Sequence, residues 1–193
     1  MKRAEPSDSR LIERIRAGDQ QAFASLIERH RARMFGVALS LVKDREDAEE
    51  IVQEATLAIH RSLDQFQGKA RFTTWLYRIV VNLALMRLRS TSRPEIVPLD
   101  QIPESLMEDS DAGFPSEERM VSEQTLLAIE KVVGRLPYEF EAILILRDIE
   151  GFSNQETAEI MELSPAAVKS RLHRARKFLR DKLKGLYQET VEN

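Results

Sequence analysis

The polar residues best suited to contact another molecule lie in one stretch near the C-terminus, from Gly151 to Lys177. This stretch predicts a short helix, a tight turn and a second helix, with Ser164 as the N-cap and Pro165 at the first helical position. At about 100° per residue, one side of the second helix is apolar and carries Val168, Leu172, Ala175 and Leu179. The other side carries Ala166, Lys169, Ser170, His173 and Lys177, with Arg174 at its edge. Such polar groups can reach base edges in a DNA groove, although a solvated basic face is the alternative.

The composition excludes several classes of protein. The chain of 193 residues has no cysteine, so it forms no disulfide and no cysteine-ligated zinc or iron–sulfur site. No apolar run approaches the roughly 20 residues that a membrane helix requires, and the charged N-terminus is unlike a signal peptide. We therefore expect a cytoplasmic protein with no membrane insertion. The chain has only seven glycines and seven prolines, too few for the many turns of a many-stranded β fold. The helical periodicity predicts an all-α fold.

The net charge of −3 hides three segments of different sign. Residues 1–95 are basic, with 17 Lys and Arg against 13 Asp and Glu. Residues 96–120 hold seven acidic side chains and one basic side chain. After position 120, eight of the 11 basic residues crowd into residues 169–184. Because electrostatic fields act over about a Debye length, these local charges matter more to a partner than their sum.

The chain divides into two predicted helical domains and a connector. Helical spacing fills residues 9–93, where Asp19 and Asp44 are expected to cap two of the helices and a further helix covers residues 72–89. Residues 94–118 are rich in proline and acidic residues, a composition typical of a flexible linker. In residues 119–187 we expect four helices, over residues 123–136, 139–149, 154–161 and 165–186. The prediction is two small helical domains joined by a flexible acidic linker.

The predicted helix from Asp44 to Leu63 has two opposite faces. Its apolar side holds Ala48, Ile51, Val52, Ala55 and Ile59. Its opposite side holds Asp47, Glu50, Gln53 and Glu54. This polar side lacks the lysines that normally pair with glutamates on a solvated helix, which suits a basic partner surface. A merely soluble acidic face is equally consistent with the pattern.

The predicted helix from Phe72 to Arg89 and the loop before it suit unstacked bases. We expect an apolar stripe made of Phe72, Trp75, Leu76, Ile79, Leu83 and Met86. A flank of the remaining surface carries Arg71, Arg78, Asn82 and Arg89. The loop places Phe66 next to Gly68 and Lys69, and bases can stack on such a ring while cations hold the backbone. A turn with Phe66 packed into the core is the alternative.

Four segments together resemble the bacterial RNA polymerase sigma factors of the extracytoplasmic-function group, the sigma-70 family members with only two conserved domains. They are Arg16–Phe23, Asp44–Glu54, Ala70–Leu85 and Val168–Arg176, in the order that the family has. The resemblance spans nearly all of residues 9–186. It implies a sigma-2-like helical bundle over residues 9–93, a sigma-4-like helix-turn-helix domain over residues 119–187, and the linker between them.

The resemblance implies a role for each polar face. The clamp of the largest polymerase subunit would be bound by Asp47, Glu50, Gln53 and Glu54. The −10 promoter element would be melted and read by Phe66, Lys69, Arg71, Arg78 and Asn82. The bases of the −35 element would be read by Lys169, Ser170, His173 and Arg174. Its phosphates would be held by Arg171, Arg176 and Lys177. Trp75 matches a family tryptophan, but its place on the predicted apolar stripe favours a structural role.

The resemblance also implies partners and no cofactor. The C-terminal domain would contact the flap of the second polymerase subunit, and an anti-sigma factor would hold the protein inactive, near the membrane where that factor is membrane-bound. Stress response is the usual setting of the group. No catalytic residue and no metal site is expected. Met86 departs from the family, which often has an acidic or polar residue there.

Two other functions stay open. A plain helix-turn-helix regulator would bind duplex DNA by itself, but it would leave the loop from Phe66 to Arg71 unexplained. A nucleic-acid hydrolase would need a phosphate-binding loop or metal ligands, and the three histidines are scattered without metal-ligand spacing. Of these, His30 and His60 are expected at helix surfaces or boundaries, and His173 belongs to the predicted recognition helix.

Overall fold

The computed structural model describes residues 6–91, 129 and 131–191, the last eight of them by their backbone alone. The regular structure in these ranges is helical, and it divides into two compact units after Ser90. The linker predicted over residues 94–118 lies outside the described residues, as does most of the helix predicted over residues 123–136. Among the residues described, no helix combines the length and the apolar character needed to cross a membrane.

Within residues 6–91, the N-terminal unit contains four α-helices. They are α1 (Asp8–Arg16), α2 (Gln20–Val42), α3 (Arg45–Ser62) and α4 (Phe72–Ser90), with a short 3-10 turn (Leu63–Gln65) after α3. Side-chain caps begin three of these helices. Ser7 caps α1, and Asp19 and Asp44 cap α2 and α3 as the sequence predicts. Asp19 Oδ1 accepts hydrogen bonds from the backbone N–H groups of Gln21 and Ala22 at 3.0 and 3.1 Å. Asp44 Oδ1 accepts one from the N–H of Asp47 at 2.9 Å.

In the core of the N-terminal unit, α4 packs against both α2 and α3. Its buried residues are Phe72, Thr74, Leu76, Tyr77, Val80, Val81, Ala84, Leu85 and Leu88. The predicted apolar stripe is therefore wrong in most of its members, since it shares only Phe72 and Leu76 with this set. Trp75, Ile79 and Leu83 are half-buried, and Met86 is 64% exposed. Because α4 is apolar on almost every side, periodicity alone does not select the side that two neighbouring helices cover.

His30 is buried, whereas we expected it at a helix surface or boundary. Its Nε2 lies 2.9 Å from Asp8 Oδ2, and the other oxygen of Asp8 accepts a hydrogen bond from Arg29 Nη1 at 2.6 Å. Asp8 thereby ties the start of α1 to α2. The partners are more than twenty residues apart, so local spacing did not reveal the pair. His60 is exposed as expected, with its ring 4.9 Å from that of Phe23.

The C-terminal unit contains a helix-turn-helix. In this unit α5 (Tyr138–Leu144) continues as a π-helical segment (Ile145–Ile149). The helix-turn-helix itself is formed by α6 (Asn154–Met161) and α7 (Pro165–Val191). Ser164 caps α7 as predicted, because its Oγ accepts from the N–H of Ala167 at 3.1 Å. Ser153 and Glu156 form a capping box before α6, with reciprocal hydrogen bonds of 2.9 and 3.1 Å. Residues 131–133 are also helical and turns begin at 134, earlier than the predicted end at 136.

Replacing Asp44 with alanine should destabilise the N-terminal unit, because the N–H of Asp47 then loses its acceptor. We expect a loss of about 1 kcal/mol in the free energy of unfolding. Urea unfolding followed by the fluorescence of Trp75, the single tryptophan of the chain, measures this loss. Asp44→Asn is the matched control, since asparagine caps helices as well as aspartate does. An equal loss in both variants would contradict the capping role.

Candidate functional site

A pocket of about 200 Å³ lies at the loop between α3 and α4. It is lined by Gln65, Phe66, Gln67, Gly68, Lys69, Ala70 and Trp75. Gly68 has a φ of +70°, a conformation that glycine adopts without steric cost and that lets the loop turn back toward α4. The pocket combines aromatic faces, one lysine and the backbone of the loop, which are the groups that bind an unstacked base.

Two aromatic rings, those of Phe66 and Trp75, line the pocket, and the ring of Phe72 packs against both. The ring centroid of Phe66 lies 5.3 Å from that of Trp75 and 5.7 Å from that of Phe72. Phe72 is buried, whereas Phe66 and Trp75 are half-buried. The sequence left open whether Phe66 packs into the core or offers its ring to a base. In the structure Phe66 packs against the core on one side and lines the pocket on the other. The position of Trp75 in the lining was missed, because the sequence pattern assigned it to a buried stripe.

An exposed polar line continues from this pocket along α4. It consists of Arg71, Arg78, Asn82 and Arg89, which the sequence predicted on one flank, and all four are exposed. Lys69 is exposed in the loop, and Met86 is exposed on the same side of the helix. Guanidinium groups suit phosphate oxygens and the asparagine amide suits base edges. The pocket and this line together combine aromatic faces, cations and one amide, which are groups that can bind nucleic acid.

The acidic face of α3 is present as predicted, but α4 contributes to it. Arg87 lies 2.7 Å from Asp47 through Nη1 and 2.5 Å from Glu50 through Nη2. The hydrogen bond to Glu50 is the main reason why the pKa of Arg87 rises above its ordinary value. Gln53 and Glu54 are exposed on the same face, and Leu57 follows them with 56% of its surface exposed. The outer part of the face therefore consists of a glutamine, a glutamate and a leucine.

The recognition helix α7 divides as the sequence predicts. Its apolar residues Val168, Leu172, Ala175 and Leu179 are buried. Lys169 and Ser170 are exposed, whereas His173, Arg171 and Lys177 are half-buried. The exposed groups lie in the first turns of α7, close to the tight turn. In helix-turn-helix proteins, this end of the helix contacts base edges.

Two arginines of α7 have partners inside their own unit. The guanidinium carbon of Arg174 lies 5.4 Å from the ring centroid of Phe140 on α5. Arg176 bonds Asp148 through Nε at 3.1 Å and through Nη2 at 2.5 Å. Both side chains of this pair are largely buried, with 15% and 17% exposed. The sequence predicted DNA contacts for Arg174 and Arg176, and it did not predict that Arg176 holds α7 against the π-helical segment.

The chain matches two models of known protein families. Sigma-70 region 2 matches residues 26–94, and Sigma-70 region 4 matches residues 126–179. The first match contains the pocket, the polar line of α4 and the acidic face of α3. The second contains the helix-turn-helix. The order of the two regions is the one that the sequence motifs predicted.

Individual relatives and solved structures agree with these matches. The chain is 33% identical over 174 residues to the ECF RNA polymerase sigma factor SigM of Mycobacterium tuberculosis, covering 90% of this chain and 83% of that protein. It is 34% identical over 185 residues to the ECF RNA polymerase sigma-E factor of Escherichia coli, covering 93% and 96%. The structure of CnrH in complex with the cytosolic domain of CnrY is similar at a TM-score of 0.66 and 25% identity, covering 91% and 96%. The sigma factor RpoE in complex with the anti-sigma factor NepR from Bartonella quintana is similar at 0.57 and 25%, covering 79% and 91%.

Removing the guanidinium of Arg176 should destabilise the C-terminal unit, because Asp148 would lose the two charge-assisted hydrogen bonds from Nε and Nη2. We expect Arg176→Ala to lower the free energy of unfolding by about 1–3 kcal/mol. Urea unfolding followed by far-UV circular dichroism should show the loss, while the transition followed by Trp75 fluorescence in the other unit stays unchanged. Arg180→Ala, at an exposed position of α7, serves as the control. If both variants unfold like the wild type, the Arg176 pair has no stabilising role.

Proposed function

Because the chain belongs to the extracytoplasmic-function sigma factors of bacterial RNA polymerase, we propose that its two units act at two separate promoter elements. Promoter-directed initiation of transcription is the function of this family. Its members are non-catalytic initiation factors, and we assign no catalysis to this chain. The N-terminal unit opens and reads the −10 element, and the C-terminal unit reads the −35 element. We propose residues 9–93 and 119–187 as the bounds of these two domains, with residues 94–118 as the linker between them.

The pocket beside Phe66 and Trp75 is the observation that carries the proposal for the −10 element. An unstacked base enters it and stacks on an aromatic face, while Lys69, Arg71 and Arg78 hold the strand by its phosphates. Asn82 contacts a base edge next to the pocket. Unstacking costs a few kcal/mol per step, and stacking on an aromatic side chain returns about 1–3 kcal/mol per base. The cation contacts supply the remainder, so that the melted strand stays bound.

At the −35 element, the first turns of α7 enter the major groove. Lys169, Ser170 and His173 face the bases, and their accessible position in the helix-turn-helix supports this role. Arg171 and Lys177 hold phosphates. Arg174 and Arg176 contribute to DNA binding mainly by fixing α7 against Phe140 and Asp148, since these contacts occupy them within their own unit.

The polymerase binds the acidic face of α3. Gln53, Glu54 and Leu57 form the outer part of the contact with the clamp of the largest subunit, because an exposed leucine beside a carboxylate suits a basic surface with an apolar centre. Asp47 and Glu50 take part while paired with Arg87. The C-terminal unit contacts the flap of the second subunit. Because these contacts require the chain and the polymerase to share a compartment, we place the chain in the cytoplasm.

An anti-sigma factor is the partner that we propose for regulation. Two similar proteins were solved with protein partners: CnrH with the cytosolic domain of CnrY, and the sigma factor RpoE with the anti-sigma factor NepR. A partner of this kind inactivates the chain by covering the acidic face of α3 and the DNA-binding surfaces. Release then couples a stress signal to transcription, and a membrane-bound partner holds the chain near the membrane until that point.

Affinity capture with purified bacterial core polymerase, followed by run-off transcription on a promoter library, tests the proposal. We expect stoichiometric association and a defined start site preceded by two conserved elements. Glu54→Lys should abolish association, whereas Glu49→Lys, where the wild-type glutamate pairs with Arg45 at 3.0 Å on another side of α3, should not. Strong binding to duplex DNA with no association to the polymerase would identify a plain helix-turn-helix regulator instead.

Replacing Lys169 with alanine should relax the preference at the −35 element, because one donor to a base edge is lost. The expected cost is about 1–3 kcal/mol in binding to the recovered −35 duplex. Fluorescence anisotropy on duplexes with single base-pair changes measures both affinity and preference. Arg180→Ala is a control of equal charge change on the same helix. Identical preference profiles for the two variants would show that Lys169 does not read bases.

A further inference from the structure

The main chain of the pocket loop is held by a residue from a distant part of the sequence. The Nη2 group of Arg16 donates a hydrogen bond to the backbone carbonyl of Phe66, across 50 residues of chain. Arg16 is the last residue of α1, and Phe66 is the first pocket residue after the 3-10 turn. The bond therefore connects the end of one helix to the start of the loop that lines the pocket.

The backbone that carries Arg16 is itself fixed. Gly18 has a φ of +92°, and its N–H bonds the carbonyl of Ile15 at 2.9 Å. Arg14 bonds the carboxylate of Asp19 through Nε at 2.9 Å and Nη2 at 2.6 Å. The hydrogen bond from Arg14 is the main reason why the pKa of Asp19 lies below its ordinary value. The turn between α1 and α2 is thus closed on both sides of Arg16.

The loop needs such an anchor because its own residues are exposed. Gln67, Gly68 and Lys69 are all exposed, and Gly68 adds backbone freedom. The ring of Phe66 packs on Phe72 and Trp75, which fixes the side chain, while the hydrogen bond from Arg16 fixes the adjacent carbonyl. A pocket held in its binding shape loses less conformational entropy when a ligand enters.

We infer that Arg16 is a positioning residue for the base pocket, which keeps the loop from Phe66 to Ala70 in the shape that accepts an unstacked base. The inference rests on the proposed function of the pocket, and it extends the −10 site to the end of α1. Arg16 acts through the main chain of Phe66 and does not contact the DNA. Its replacement should therefore impair promoter opening and leave binding to the −35 duplex unchanged.

Three variants separate this role from its alternatives. Arg16→Ala removes the donor, Arg16→Lys keeps a cation that can reach the same carbonyl, and Arg10→Ala makes the same charge change at another exposed position of α1. The first measurement is acrylamide quenching of Trp75, which is the single tryptophan and lines the pocket. The second is permanganate reactivity of non-template thymines in the holoenzyme, on the promoter recovered by run-off transcription.

The expected results are specific to Arg16→Ala. Its Stern–Volmer constant should rise about twofold as the loop loosens over Trp75, and open complexes should fall about tenfold, which corresponds to one lost charge-assisted hydrogen bond. Arg16→Lys should recover a large part of both effects, and Arg10→Ala should resemble the wild type. Thermal unfolding of all three variants should match that of the wild type within a few degrees, so that a folding defect does not imitate the effect.

Each other result contradicts the inference. Unchanged quenching with lost opening would mean that Arg16 contacts the DNA directly, and increased quenching with normal opening would mean that loop order is irrelevant. The salt dependence of single-strand binding gives a further criterion. A phosphate contact would reduce the slope of log K against log salt by about 0.7, whereas a positioning residue leaves the slope unchanged. A wild-type holoenzyme that opens no promoter would contradict the proposed function itself, and the quenching comparison would still test the anchor.

Discussion

The rotation of α4 about its axis is the constraint on which the N-terminal unit depends. Tyr77, Val80 and Ala84 are buried where α4 packs on α2 and α3, and this burial fixes which residues point outward. Trp75 then lines the pocket, and Asn82 is exposed on the line that continues from it. Because protein interiors are closely packed, a small rotation of α4 would disturb the whole core. The same buried side chains therefore provide stability and aim the polar surface.

Specific polar contacts supplement this packing at each candidate surface. Arg87 joins α4 to the acidic face of α3, Arg176 joins α7 to the π-helical segment, and Arg16 joins α1 to the pocket loop. In each case an arginine on one element bonds an acceptor on another element. Arginine suits this task because its planar fork makes two or more hydrogen bonds from one position. The candidate surfaces are thus held by contacts within the chain itself.

The sequence predicted those features that local chemistry determines. Caps at Asp19, Asp44 and Ser164 appear where the motifs placed them. The buried side of α7 was predicted correctly because its polar and apolar residues lie on clearly separate sides of the helix. The buried side of α4 was wrong, since apolar residues occupy almost its whole circumference and Tyr77 was not counted as core. The burial of His30 depends on a partner that is distant along the chain, and helical periodicity contains no information about such contacts.

The central claim is that the pocket beside Phe66 and Trp75 captures a base from a melted strand. Titration of the free chain with DNA, followed by the fluorescence of Trp75, tests it most directly, because this tryptophan is unique in the chain and lines the pocket. Single-stranded DNA of the recovered −10 sequence should quench Trp75, and the duplex of the same sequence should not. Equal quenching by the single strand and the duplex, or no quenching by either, would contradict the account.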